Sequence, residues 1–97
     1  MKFLWDPVKN KINQAKHGVS FENAVLVFDD PYHLSMVDRI VDGEERWLTI
    51  GQIWGMVVLI LAHTYKEEGG QEIVRIISAR KATKKERKGY EYGEKYE

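Results

Sequence analysis

The chain has 97 residues, 15 basic against 15 acidic, and no cysteine. That length suits one domain, residues 1–97, with a modest core. A composition 43% hydrophobic and 31% charged argues against disorder, and zero formal net charge argues against binding nucleic acid by bulk attraction alone. The longest apolar stretch, Met56 to Ala62, is too short to span a membrane, and the N-terminus turns polar by Asp6 without a signal-peptide run. With no cysteine available for disulfides, the cytoplasm is the expected location.

Lys2 to Trp5 reads as a short strand. Asp6-Pro7 then starts a helix, because Asp accepts from orphan N–H groups and Pro suits the first helical position. Val8, Ile12 and Ala15 share one face of that helix, and Lys9, Asn13 and Lys16 share another. Gly18 stops it as a left-handed cap. Ser20 starts a second helix whose buried stripe is Phe21, Ala24, Val25 and Phe28, with Asp29-Asp30-Pro31 as its stop.

The middle reads as strands. His33 to Val37 is one, Asp42-Gly43 is a turn, and Arg46 to Ile50 returns. Gly51-Gln52 bends or turns the chain into Ile53 to His63, an apolar run suited to a central strand. Glu68-Gly69-Gly70 turns again, and Glu72 to Arg80 is the last strand. Thr83 and Glu86 then form a capping box that starts a basic helix running to about Tyr92. The order β-α-α-β-β-β-β-α implies an α+β fold: two N-terminal helices on a mostly antiparallel sheet of four to five strands, one sheet face partly open, and a C-terminal basic helix.

Charge is unevenly spread. Between Glu22 and Glu45, Arg39 is the only base, whereas Arg80 to Lys88 holds six bases against Glu86. The basic run is either a solvated helix or a surface for phosphates or an acidic partner. Cys nucleophiles are excluded, Gly-rich phosphate loops are missing, and His17, His33 and His63 lack zinc-site spacing. What remains is a set of cations with a few histidines and tyrosines, a phosphate-friendly domain of open task whose groups would suit metal-independent RNA cleavage. There the ribose 2′-OH attacks the adjacent phosphate, and the protein removes a proton and neutralises charge. Arg offers bidentate donors to phosphate and His can shuttle a proton. Each residue also has a plainer reading. His17 and Lys16 end a helix, where cations are favoured by the dipole. Arg46 can pair with Glu44 or Asp42, and Arg80 can cap a strand end. Arg75 and Arg80, five apart, point to opposite faces unless the strand bends. Tyr90, Tyr92 and Tyr96 either pack the last helix or stack on bases.

Two blocks sharpen this. Phe3 to Ala24 (FLWDPVKNKINQAKHGVSFENA) and Arg75 to Tyr90 (RIISARKATKKERKGY) together closely resemble the BrnT family of toxins. Arg46…Ile50-Gly51 and His63-Thr64 follow the same pattern. The resemblance implies a RelE-like fold, an endoribonuclease that inhibits translation and growth, and no metal or other cofactor. It also implies a BrnA-like antitoxin with a ribbon–helix–helix, DNA-binding part, through which alone the toxin meets DNA; the toxin alone is expected to be a monomer. Carried over position by position, Lys16, His17, Arg46 and Arg80 are the catalytic candidates, with Arg46 and Arg80 stabilising charge and His17 moving the proton. Arg75, Glu22 and Tyr90 are substrate-binding candidates. The chain departs from the family at Thr64-Tyr65-Lys66, where members often carry Arg directly after the Thr; Lys66 either replaces that charge or leaves it missing. A non-catalytic domain that keeps antitoxin binding and operon regulation is the alternative.

Overall fold

A computed structural model of the chain describes residues 1–93; Tyr96 lies outside them. The described elements are β1 (Lys2–Leu4), α1 (Pro7–His17), α2 (Phe21–Ala24), a 3₁₀ segment (Val25–Asp29), β2 (Leu34–Val41), β3 (Glu44–Ile53), β4 (Val57–His63), β5 (Lys66–Glu68), β6 (Gln71–Lys81) and α3 (Lys84–Glu91). The strands form one sheet in the order β1-β6-β4-β3-β2, with β5 also on β6; only β1 and β6 run parallel. The α+β reading therefore stands, with one more strand than the sequence suggested. The short β5 was missed because Lys66–Glu68 carries only exposed charge.

Local chemistry sets the helix ends. Asp6 accepts from Val8 N–H and starts α1, and Gly18 closes it at φ 70°. Ser20 accepts from Asn23 N–H to open α2. Thr83 and Glu86 make the reciprocal capping box of α3. The turns are less evenly legible. Asp42-Gly43 and Gly69-Gly70 turn as read, all four residues having positive φ. The β3–β4 turn, however, is not at Gly51-Gln52 but at Trp54-Gly55, with φ 55° and 64°. Tryptophan rarely adopts the left-handed conformation, so Gly55 alone carries a composition signal for this turn.

Gly51 has a different task. It lies within β3, and a Cβ there would meet Val27 Cβ and Val27 O at 2.9 Å. Its missing side chain lets the 3₁₀ segment press on the sheet. On that face Val19, Phe21, Ala24 and Val27 pack on Ile53, Leu59, Leu61, Val74, Ile76 and Ala79. A fully buried Phe21, Leu59 or Leu61 contributes roughly 1.5–3 kcal/mol. The opposite face is partly covered by α3, where Tyr90 packs beside Ile50, Val58 and Ile60.

Helix α1 is turned the other way from its hydrophobic pattern. Val8 and Ile12 are exposed, and Asn13 is buried. The Asn13 amide donates to Val19 O at 2.9 Å and Ala79 O at 2.8 Å, and accepts from Ala79 N–H at 3.1 Å. It thus pairs with β6 as a strand would, satisfying the backbone groups that face away from β4. A polar residue wins the buried position because an unpaired strand edge under a helix costs more than two exposed aliphatic side chains.

Two bulges reset the sheet. In β6 the pairing steps from Ala62↔Ser78 to His63↔Ile76, so Ile77 is an extra residue. In β2 it steps from Val37↔Trp47 to Arg39↔Arg46, so Asp38 is extra. Gly51→Ala is expected to destabilise the fold by about 1–3 kcal/mol through overpacking against Val27. Urea unfolding followed by circular dichroism checks this; an unchanged midpoint would show that the 3₁₀ segment yields freely.

Candidate functional site

The bulges decide where the cations point. Without one, Arg75 and Arg80 would lie on opposite faces. The extra Ile77 brings both to the face covered by α3: Arg80 lies opposite Ile60, and Arg75 is flanked by Val74 and Ile76, both buried on the other side. Arg46 shares that face with Leu48 and Ile50. The extra Asp38 places Arg39 directly opposite Arg46. Since Thr64 N–H bonds Arg75 O and His63 precedes Thr64 opposite Trp47, one row crosses the sheet as Arg39, Arg46, Thr64, Arg75.

One carboxylate sits among these arginines. Glu44 Oε1 accepts from Arg75 Nη2 at 2.8 Å and lies 3.6 Å from Arg46 Nε. Arg46 Nε is buried yet makes no hydrogen bond. A guanidinium held with a donor unused is prepared for a further acceptor. Arg39 is largely exposed and pairs only loosely with Asp38, at 3.4 Å. Arg39 and Glu44 carry no site signal in the sequence, because only the bulges and the hairpin register bring them beside Arg46 and Arg75.

Arg80 stands two rows away and is tied to α3. Its Nη1 and Nη2 donate to Glu86 Oε1 and Oε2 at 2.8 and 3.0 Å. Glu86 also accepts from Thr83 N–H at 2.8 Å, so one carboxylate both caps α3 and fixes Arg80. The Arg80 hydrogen bonds, assisted by the Thr83 backbone and the Arg80 charge, overcome burial and hold the Glu86 carboxyl at about 2.

The remaining candidates lie outside the arginine row. Lys16 and His17 form the last turn of α1, one turn beyond Asn13 at the β6 edge. Among the described residues no hydrogen bond or ion pair joins them to Arg46, Arg75 or Arg80. Glu22 is exposed and accepts from Asn10 Nδ2 at 2.6 Å, a bond that fastens α1 to α2. Tyr90 is half-buried, and its hydroxyl donates to Asp30 Oδ2. Burial first, then the Asp30 carboxylate, raises the Tyr90 phenol well above its ordinary value, so it stays a neutral donor. Burial pushes Asp30 up, but bonds from Tyr90, Gln52 N–H and Tyr32 N–H outweigh it and hold the carboxyl low.

His63 is buried beneath Phe28, and burial depresses its pKa despite the Thr64 contact. Its Nδ1–H donates to Thr64 O at 2.9 Å, leaving Nε2 to accept from Thr49 Oγ1 at 2.7 Å. Thr49 in turn accepts from Ser35 at 2.7 Å. This is a neutral structural histidine. Among the described residues no three His, Cys, Asp or Glu side chains converge as metal ligands.

Glu86 gives a pH prediction. Its carboxyl falls from an ordinary 4.5 to about 2 on folding. A depressed carboxyl stabilises the fold fully above the unfolded value, and that contribution fades as pH drops from 4.5 towards 2. Solvent screening of the partly exposed pair reduces it to roughly 1–2 kcal/mol. Glu86→Gln should lose that amount at neutral pH and show a flatter acid limb in chemical denaturation. Parallel acid limbs for variant and wild type would refute the linkage.

Known proteins supply an independent line. No curated protein matches the chain significantly by sequence. Among solved structures, the ribonuclease toxin BrnT of Brucella abortus matches with a TM-score of 0.59 and 26% identity, over 87% of this chain and 99% of that one. The family model for the ribonuclease toxin BrnT of type II toxin–antitoxin systems matches residues 5–86. That span takes in the α1 anchor, both bulges, the arginine row and the capping box, and the chain belongs to the BrnT family of ribonuclease toxins of type II toxin–antitoxin systems.

Proposed function

We propose that the face carrying Arg39, Arg46, Arg75 and Arg80 cuts RNA without a metal ion. The observation that carries this reading is the row of three arginines across the sheet, with one carboxylate at its centre and one buried donor unused. In the free protein Glu44 occupies the position a phosphate would take. An incoming phosphate exchanges with it, accepting from Arg46 and Arg75 and releasing the Glu44 carboxylate beside the ribose. Glu44 then takes the 2′-OH proton as the 2′ oxygen bonds to phosphorus. The bond from phosphorus to the 5′ oxygen breaks and that oxygen takes a proton from water on the open face; the hydroxide so formed takes the proton back from Glu44, restoring its carboxylate, and a 2′,3′-cyclic phosphate remains. The arginines neutralise the charge of the phosphorane. This assigns proton removal to Glu44 rather than His17, which sits at the β6 edge. Arg80, Lys16, His17 and the cations of α3 extend the contact towards the end of β6.

Membership of a toxin–antitoxin family implies an antitoxin partner. The further reading is that this partner is a BrnA-like ribbon–helix–helix protein that masks the arginine face and alone contacts DNA. The toxin acts as a monomer in the cytoplasm, inhibiting translation and growth until the antitoxin binds.

A second reading has its own support. Arg75 and Arg80 are each already paired with a carboxylate, at 2.8 Å in both cases. A face neutralised in this way also suits a domain that binds its antitoxin and no longer cuts RNA.

The two separate in one assay. Purified protein should cleave RNA in EDTA, leave DNA of the same sequence intact, and yield cyclic phosphate ends. Arg46→Ala should lower kcat by about 10²–10³-fold. Glu44→Gln should bind RNA more tightly and cut it more slowly. RNA left whole in both EDTA and magnesium would refute the nuclease reading, and wild-type cleavage by Glu44→Gln would remove Glu44 from the mechanism alone.

A further inference from the structure

A cleft of about 650 Å³ opens between the C-terminal end of α3 and the chain entering β2. Its size is in the range of small-ligand sites. Tyr32 and Tyr92 border it, each 75% exposed, with His33, Gln52 and Tyr90 also in its wall. Among the described residues its lining holds no Lys or Arg, and its one charged side chain is Glu91. The aromatic rings and the amide suit a flat ligand with polar edges, and the Glu91 carboxylate disfavours a phosphate there, unlike the arginine row.

The walls are fixed in advance by one carboxylate. Asp30 Oδ1 accepts from Tyr32 N–H at 2.9 Å, while Oδ2 accepts from Gln52 N–H at 2.7 Å and from the Tyr90 hydroxyl. One side chain so joins the loop, β3 and α3. His33 Nδ1 lies 2.7 Å from Asp30 O, and a carbonyl only accepts, so that nitrogen carries the proton. That leaves Nε2 for a further partner, and the Gln52 amide offers both donor and acceptor. Two solvent-facing phenol rings beside such groups provide what an unpaired base needs: a surface to stack on and polar atoms for its edge.

The cleft also lies in register with the arginines. Leu34, in its wall, begins a row that continues through Ile50 and Ile60 to Arg80. The row with Arg39, Arg46 and Arg75 is four residues of β3 further along, about 13 Å at strand rise. One strand of RNA can span that distance.

We propose that this cleft stacks an unpaired nucleobase of the RNA held by the arginine face. The inference rests on the RNA reading above and adds a base subsite to it. The test uses a fluorescently labelled, mixed-sequence single-stranded RNA with 2′-O-methyl groups, which binds without being cut, and the matching duplex. Tyr32→Ala and Tyr92→Ala should each weaken single-strand binding about 5- to 100-fold. Duplex binding and the salt dependence should stay as in wild type, because no phosphate contact is lost. Tyr32→Trp should restore the single-strand affinity. Both tyrosines are largely exposed, so circular dichroism should show the variants folded. Single-strand affinity unchanged in both variants, while Arg46→Ala still weakens binding, would overturn the cleft and leave the RNA reading standing. Equal losses on single strand and duplex would also overturn it. Normal RNA binding with escape from a co-expressed antitoxin would instead assign the cleft to the protein partner. If wild type binds neither RNA, the RNA reading itself fails.

Discussion

The extra residue at Ile77 in β6 is the constraint on which the rest of the structure turns. Val74, Ile76 and Ala79 all face the helical core, although an unbroken strand cannot point positions 76 and 79 to one side. The same shift delivers Arg75 and Arg80 to the other side together. One irregularity thus completes the core and gathers the cations. The matching bulge at Asp38 in β2 lies on the far side of the same row and adds Arg39. Bulges at such places re-aim side chains without breaking the sheet.

Two polar side chains then hold the surrounding elements in place. Asn13 replaces a missing strand at the β6 edge, and its third bond, to Val19 O, also fixes the chain between α1 and α2. Asp30 does the equivalent on the other side of the molecule, joining a loop, β3 and α3. Each joins a near neighbour, Val19 or Tyr32, to groups far away in sequence, Ala79 for Asn13 and Gln52 and Tyr90 for Asp30. Buried polar groups with every partner supplied specify one arrangement more sharply than apolar contact does, because a shifted neighbour leaves a donor or acceptor unpaired.

These same features mark the limit of what the sequence shows. Caps were legible: Asp6, Gly18, Ser20 and the Thr83–Glu86 box all act where local chemistry placed them, because a cap depends on residues only a few positions away. The turn at Trp54-Gly55 was not, since its first residue is a poor left-handed former imposed by the pairing of β3 with β4. The buried face of α1 was read inverted, because periodicity ranks Val8 and Ile12 above Asn13 and cannot see an unpaired edge at Ala79. For the candidate site, Arg46, Arg75 and Arg80 stand out by their chemistry and by family resemblance, but their common face depends on a bulge without a sequence signature. The sequence shows Glu44 only as a pairing partner for Arg46 and Arg39 only as the lone base of an acidic stretch, for the same reason. Lys16 and His17 remain on α1, apart from the arginine row.

Zero net charge, which argued against nucleic-acid binding by bulk attraction, acquires a local meaning in this arrangement. Glu44 and Glu86 act as internal counter-ions, each held 2.8 Å from an arginine on the candidate face. Guanidinium groups crowded on one sheet face repel one another and cost stability, and these carboxylates offset that cost in the resting protein. They differ in how readily they let go. Glu86 is bound at both oxygens and also caps α3, so releasing it would disturb the helix. Glu44 accepts one hydrogen bond, from Arg75, through the same oxygen that lies 3.6 Å from Arg46. A phosphate offers more acceptor oxygens to these guanidinium groups than Glu44 presents, so exchange there swaps one anion for a better-fitting one without exposing bare charge. On the proposed RNA reading, selectivity comes from geometry rather than attraction. The anion must reach both arginines at once, and a chain whose neighbouring groups fit the open face and the α3 end of the sheet gains contacts that a free ion does not.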